Sequence, residues 1–197
     1  NLVVVFHDEY WTQKMRNSVT SLTNANTNFT VLSGNTMYHR STFTDSSLTT
    51  FQTRKFHNSL HVGSPKLYGL SERYQDGRGT SNLRPQSYVT GQNFGCITHF
   101  NPLTIQDNKF WAWKKQNLST HTTFPNLLGN EIDTPDEDVS TQKPTLNLTS
   151  CLPGYHPNPM PTSITYHVNP QSFTGTLNVG TMNWLCNLTT YTCDTER

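Results

Sequence analysis

Charge is scarce in this chain, and long apolar runs are missing. Charged residues make up 14% of the 197 residues, and the formal net charge is +1. A sequence-independent grip on nucleic acid needs clustered Lys and Arg, so that balance argues against one. No apolar run approaches the roughly 18 residues of a membrane-spanning helix. Good helix formers are few, which speaks against coiled coils and helical bundles. Signal-peptide and acylation motifs are not visible. There is no Gly-x-Ser-x-Gly elbow, and Gly77-Arg-Gly79 lacks the strand–loop–helix setting and the Lys-Ser/Thr of a phosphate loop.

What is abundant is small and polar. Thr (31), Asn (20) and Ser (16) supply about a third of the chain, against 32% hydrophobic residues. Low charge without a charge excess is not the usual signature of disorder. The expectation is an all-β chain with long polar loops, sized for one domain. Four sequons begin at Asn28, Asn117, Asn147 and Asn187, and there are four cysteines. A chain this rich in Asn and Thr generates sequons by chance. Cys186 and Cys193 are the candidate disulfide, closing a small loop, while Cys96 and Cys151 read as buried thiols.

The β-branched run Leu2–Phe6 reads as a buried strand, and Met37–Asp45 as a second, with Met37, His39, Ser41 and Phe43 on one face. Asn17–Asn28 and Thr120–Lys143 read as loops, the latter with an acidic patch at 133–138. Phe94–Phe100 and Pro144–Leu152 read as strands. Between Ser172 and Leu188 the apolar phase slips by one after Gly180, the pattern of a single long strand with a bulge.

Four groups could carry chemistry. His7-Asp8-Glu9-Tyr10 invites comparison with the helical His-Asp dyad of secreted-type and viral phospholipases, in which His activates water and Asp holds calcium. Here the dyad follows a β-branched run, the tyrosine comes one residue early, and no Gly-rich loop precedes it. His57 and His61 have the i, i+4 spacing of a zinc helix, but Asn58 stands where the general base would be. Asp133, Asp136, Glu137 and Asp138 lack the spaced ligands and central Gly of a calcium loop and read as a solvated acidic segment. Trp111, Trp113, Lys114 and Lys115 mix aromatic and basic residues as single-strand binding surfaces do, though anchoring of a core or interface explains them as well. The residues therefore predict no catalytic, cofactor or metal site.

Several segments resemble, in order, the C-terminal part of a parvovirus capsid protein, of a densovirus-like or otherwise divergent member. Asn1–Tyr10 resembles strand E of that family. Phe29–Asp45 is similar to its Leu-x-x-Gly-Asn/Asp segment and strand F, and Phe56–Leu67 to the His/Ser/Leu segment that follows. Lys143–Pro153 resembles strand H, and Phe173–Cys186 strand I. The resemblance implies an antiparallel jelly-roll sandwich, with residues 1–197 a single segment of about strands E to I that is incomplete without upstream strands. It implies a structural protein, not an enzyme, forming the icosahedral shell of a small single-stranded DNA virus. Partners would be other copies of the capsid protein, the chain or segment supplying the missing strands, enclosed DNA and a host receptor. The location would be the virion, and the host cytoplasm and nucleus during assembly. Tyr155, His156, Met160 and Tyr166, in or beside a Pro-rich connection, are the candidate subunit contacts. The alternative is a secreted or viral surface glycoprotein, an Ig-like β-sandwich acting as a binding module. A third reading is a hydrolase whose site no motif marks, which loss of activity in a His7→Ala variant would support.

Overall fold

The computed structural model describes residues 1–53, 74, 85–139 and 141–185. Leu2–His7 forms strand β1 and Phe29–Gly34 forms β3, paired in parallel from Leu2 opposite Phe29 to His7 opposite Gly34. A parallel pair cannot be closed by a tight turn and needs a crossover. The crossover holds β2 (Tyr10–Thr12) and helix α1 (Gln13–Asn24). Thr12 caps α1, its Oγ1 accepting the Met15 N–H at 3.1 Å. The helix is rich in Ser, Thr and Asn, so its support comes from packing more than from propensity. Val19 enters the core, and the Arg16 guanidinium lies 4.6 Å from the Tyr74 ring centroid while donating to Pro85 O at 2.7 Å.

β11 (Gly175–Asn178) runs parallel to β3 on its other side, and β10 (Thr165–Val168) adds antiparallel, giving the order β1-β3-β11-β10. Strand periodicity sends alternate residues to opposite faces. Leu2, Val4, Phe29 and Val31 cluster with Val19 of α1 and with Trp11 and Met37. Leu32 and Leu177 join a second cluster built on Leu103, Leu128, Ile164 and Val179. That second cluster draws on the long antiparallel pair β6 (Gln92–Thr104) and β7 (Thr123–Pro135), whose register shifts three times. Around this frame lie β4 (His39–Phe43), paired with β2 in parallel and with β5 (Phe51–Thr53) antiparallel, and the pair β8 (Asn147–Thr149) and β9 (Met160–Thr162). Short helix α2 (Ser87–Thr90) leads into β6. A disulfide joins Cys96 of β6 to Cys151 just after β8.

The described residues are thus mostly β-sheet, with few helices and no closed barrel. The parallel pairs β1–β3, β3–β11 and β2–β4 depart from an antiparallel jelly roll, because α1 carries the chain back to the start of the sheet. The segment expected as a loop at 17–28 is largely this helix, and most of the loop expected at 120–143 is β7. The strand expected over 172–188 stops at Asn178. Gly180 takes a left-handed φ of 65°, and a 3₁₀ turn at Met182–Leu185 follows. Cys96 and Cys151 are bonded, not free thiols, while the Cys186–Cys193 pairing lies outside the described residues. β1 is an edge strand, not a buried one: Val3, Val5 and Phe6 are exposed. No helix of the described residues is long and apolar enough to cross a membrane.

Candidate active site

In sheets built from parallel strands and crossovers, side chains that act on ligands gather beyond the carboxyl ends of the strands. Here β1 and β3 end side by side, and β11 stops three residues short, opposite Val31. β1 ends at His7 and is followed by Asp8 and Glu9, β3 ends at Gly34 and is followed by Asn35, and β11 is followed by Val179 and Gly180. The β7 strand crosses these ends and delivers Glu131 and Asp133. Its backbone is held by Asp133 N–H donating to Gly180 O at 2.9 Å. Gly34 is where β7 comes closest. A Cβ there would lie 2.5 Å from Glu131 O and 2.9 Å from Met182 N, so only glycine fits.

The side chains form a row. His7 Nε2 lies 2.9 Å from Glu131 Oε2 and 3.4 Å from Glu9 Oε2. The other oxygen of Glu9 lies 3.3 Å from His39 Nε2. Tyr10 stacks on the His39 ring at 5.8 Å, and Tyr38 meets it edge-on at 4.7 Å. Tyr38 also packs against Phe94. Glu9 and His39 are buried, whereas the His7 side chain is 32% exposed and Glu131 19%, so the row opens to solvent at the His7–Glu131 end. Backbone bonds fix the spacing: Met37 N–H donates to Asp8 O and His39 N–H to Glu9 O, both at 2.8 Å. Ser33 Oγ donates to Phe6 O.

Two carboxyls at this end have raised pKa values. Asp133 is pushed up to about 7, chiefly by burial and further by repulsion from Glu131, against the Asn35 N–H that donates to its Oδ1 at 2.8 Å. Burial also raises Asp8, opposed by Trp11 and by His7. Backbone strain sits here too. Phe6, Asn35 and Met37 adopt φ of 69°, 54° and 62°, and such outliers concentrate at functional sites. The arrangement can hold a proton, pass it between imidazole and carboxylate, and keep an imidazolium charge paired. Among the described residues, no three His, Cys, Asp or Glu side chains are arranged to hold a metal ion.

The opposite end of the same sheet carries a cleft of about 100 Å³ lined by Thr20, Thr23, Asn24, His167, Asn169 and Thr174. Its polar groups are largely spent on one another. Asn169 Nδ2 donates to Asn24 Oδ1 at 2.9 Å, and Thr174 and Thr20 hydroxyls donate to main-chain carbonyls. Burial holds the His167 imidazole below its ordinary pKa. The cleft has no carboxylate–imidazole pair.

The sequence motif passed over as a failed phospholipase dyad is therefore half of this site. It stands at a strand end, not on a helix, and His7 works with Glu131 and Glu9 rather than Asp8. The expected acidic patch divides. Asp133 is buried in the site. In Asp136 burial raises the pKa, but bonds from Ser87, Asp138 N–H and Asn93 outweigh it and hold the carboxyl below its usual value. Glu137 pairs with Lys143 at 2.7 Å on the surface. Asn35, His39 and Glu131 carried no sequence signal of their own. Glu131 lies in the segment read as loop, 124 positions beyond His7.

The other candidates do not converge. His57, His61 and Gly77–Gly79 lie outside the described residues. Trp111 and Trp113 pack on Phe110, and Trp111 also meets Tyr166. Tyr155 is exposed and His156 Nδ1 lies 3.0 Å from Asn158 O. Met160 opens β9 and Tyr166 sits in β10. Two sequon asparagines serve the fold: Asn28 Oδ1 accepts the Gly175 N–H and Asn147 Oδ1 the Thr104 N–H.

Residues 1–195 match the model of a family described as N,N-dimethylformamidase beta subunit-like, C-terminal. No curated protein matches the chain. The family match overturns the parvovirus reading, because it spans nearly every residue on which that resemblance rested and points to an enzyme subunit. With it fall the expectation of no enzyme, the icosahedral homo-oligomer, the strand-supplying chain, the enclosed DNA, the host receptor and the virion and host-cell locations. The Ig-like glycoprotein reading gains no support either. The segments compared with strands E to I share apolar alternation, which any half-buried strand shows, parallel or antiparallel.

Proposed function

The chain belongs to the N,N-dimethylformamidase beta subunit-like C-terminal family, and from that premise we propose that it supplies a hydrolytic site for small carboxamides, carried by His7 and Glu131. The observation that carries the reading is the 2.9 Å contact between His7 Nε2 and Glu131 Oε2 at the solvent end of a buried row. An amide resists water because the nucleophile is weak and the amine leaves poorly. A positioned base answers the first difficulty and the acid it becomes answers the second.

The contact with Glu131 assigns the proton to His7 Nε2 and basicity to Nδ1. Water then loses a proton to the imidazole as its oxygen bonds to the carbonyl carbon. The C–N bond breaks as the imidazolium returns that proton to the departing nitrogen. One amide and one water become one carboxylic acid and one amine, with nothing oxidised or reduced. Glu131 and Glu9 keep the transient imidazolium paired, the role a carboxylate plays behind a catalytic histidine. The Tyr10, Tyr38 and Phe94 rings wall the other, buried end of the row, around His39.

The test is amine release from N,N-dimethylformamide by the intact protein. His7→Ala and Glu131→Gln should each lower kcat at least about a hundredfold, with far-ultraviolet circular dichroism unchanged. A His7→Ala protein that still releases amine at the parental rate sinks the reading.

A further inference from the structure

Asn35 touches two of the site's carboxyl groups, Glu131 and Asp133. Its Nδ2 donates to Glu131 Oε2 at 2.8 Å and its main-chain N–H donates to Asp133 Oδ1 at 2.8 Å. Glu131 Oε2 is the same oxygen that meets His7. The side chain is 2% exposed, and its Oδ1 is buried with no hydrogen-bond partner. Its backbone stands at φ 54°, a conformation glycine adopts without strain. Asn35 therefore carries two local costs, an orphaned acceptor and a left-handed backbone, and glycine would relieve both. Residues that break local rules without a compensating gain in packing mark function.

We propose that Asn35 is a positioning residue for the hydrolytic pair: its amide and its N–H pin Glu131 and Asp133 as separate carboxyl groups, so that Glu131 stays aimed at His7. The inference rests on the His7–Glu131 reading. Two carboxyls two residues apart on β7, both near His7, would otherwise be free to share one proton between themselves. A Glu131 that shares its proton with Asp133 gives His7 no counter-charge. The groups facing His7 are Asp8 and Glu9 from the turn after β1, and Glu131 and Asp133 from β7. Asn35, from the turn after β3, is the neutral group set among them.

The experiment is Asn35→Gly in the intact protein, with N,N-dimethylformamide as substrate and thermal denaturation alongside. Glycine keeps the N–H bond to Asp133 and removes only the carboxamide. The expected result is a Tm equal to or above that of the parent. With it, kcat falls about tenfold to a hundredfold, KM changes little, and the acidic limb of the pH–kcat profile moves. Asn35→Asp, the same shape with a carboxylate facing Glu131, should move that limb further. Unmoved kcat and pH profile in both variants, while His7→Ala is inactive, overturn the role of Asn35 and leave the site reading standing. A fall carried by KM alone overturns it as well. Parental activity in His7→Ala removes the premise itself.

Discussion

At the residue scale, burial decides which carboxyl is a charge and which is an acid. Asp133 and Glu131 stand two residues apart on β7, yet Asp133 is fully enclosed and Glu131 reaches solvent. Burial first, and Glu131 second, lift the Asp133 pKa to about 7, whereas an unfolded Asp titrates near 3.9. Between those values the folded protein holds a proton that the unfolded chain has released. Stability from this group is complete below about pH 4 and is lost as pH rises through about 7. Asp133→Asn keeps the oxygen that accepts from Asn35 and mimics the neutral acid. Its Tm should fall less than the parent's between about pH 4.5 and about pH 8, with the variant the more stable at the upper end. Parallel Tm–pH curves for the two proteins would contradict this. The histidine beside it shows the converse limit. His7-Asp8-Glu9-Tyr10 stood out in the sequence, and the β-branched run before it put His7 at a strand end, but spacing did not show that its nearest carboxylate is Glu131.

At the element scale, the site depends on how closely β7 can approach the end of β3. Gly34 permits that approach, because any Cβ would meet main-chain atoms of Glu131 and Met182, which cannot swing aside as a side-chain tip can. Gly34→Ala should cost about 1–3 kcal/mol, the range of overpacked interiors. It should also lower amide hydrolysis by moving Glu131 from His7. Chemical denaturation and the amine-release assay read the two effects, and unchanged values in both would refute the close-approach argument. The elements missed in the sequence fail for a common reason. α1 is written in Ser, Thr and Asn, residues that compete for backbone hydrogen bonds, and it forms because Thr12 caps it while Arg16 and Val19 are buried. In β7 the alternation is broken at Asn126 and Asn130, both left-handed, so that a thirteen-residue strand reads as turn signals. Strands β1, β4 and most of β6 were legible because their alternation is uninterrupted or their side chains are β-branched.

At the scale of the whole molecule, the Cys96–Cys151 bond ties the long β6–β7 pair to the later β8–β9 pair. Cys96 stands opposite Ile132, the residue between Glu131 and Asp133. The half-cystines are 55 positions apart, and in the chain-entropy account a loop of that length contributes about 4 kcal/mol. A Cys96→Ala/Cys151→Ala protein should therefore melt at a lower temperature than the parent. A dithiol reductant should bring the parent down to the same Tm and leave the variant unmoved. If the reductant shifts the parent no further than the variant, the bond is not what holds these pairs together.

What the sequence determined by itself was local: a β-rich chain, several strand positions, and a His–Asp–Glu–Tyr motif worth singling out. Composition and alternation report such things because they depend on neighbours in the chain. The tertiary structure alone decided that β1 and β3 are parallel, since periodicity is the same for either pairing and only the helix between them sets the direction. It alone decided that Cys96 meets Cys151, and that residues 7, 9, 35, 39, 131 and 133 stand together. These are contacts across as many as 124 positions, made where parallel strands end, and no window along the chain is long enough to contain them.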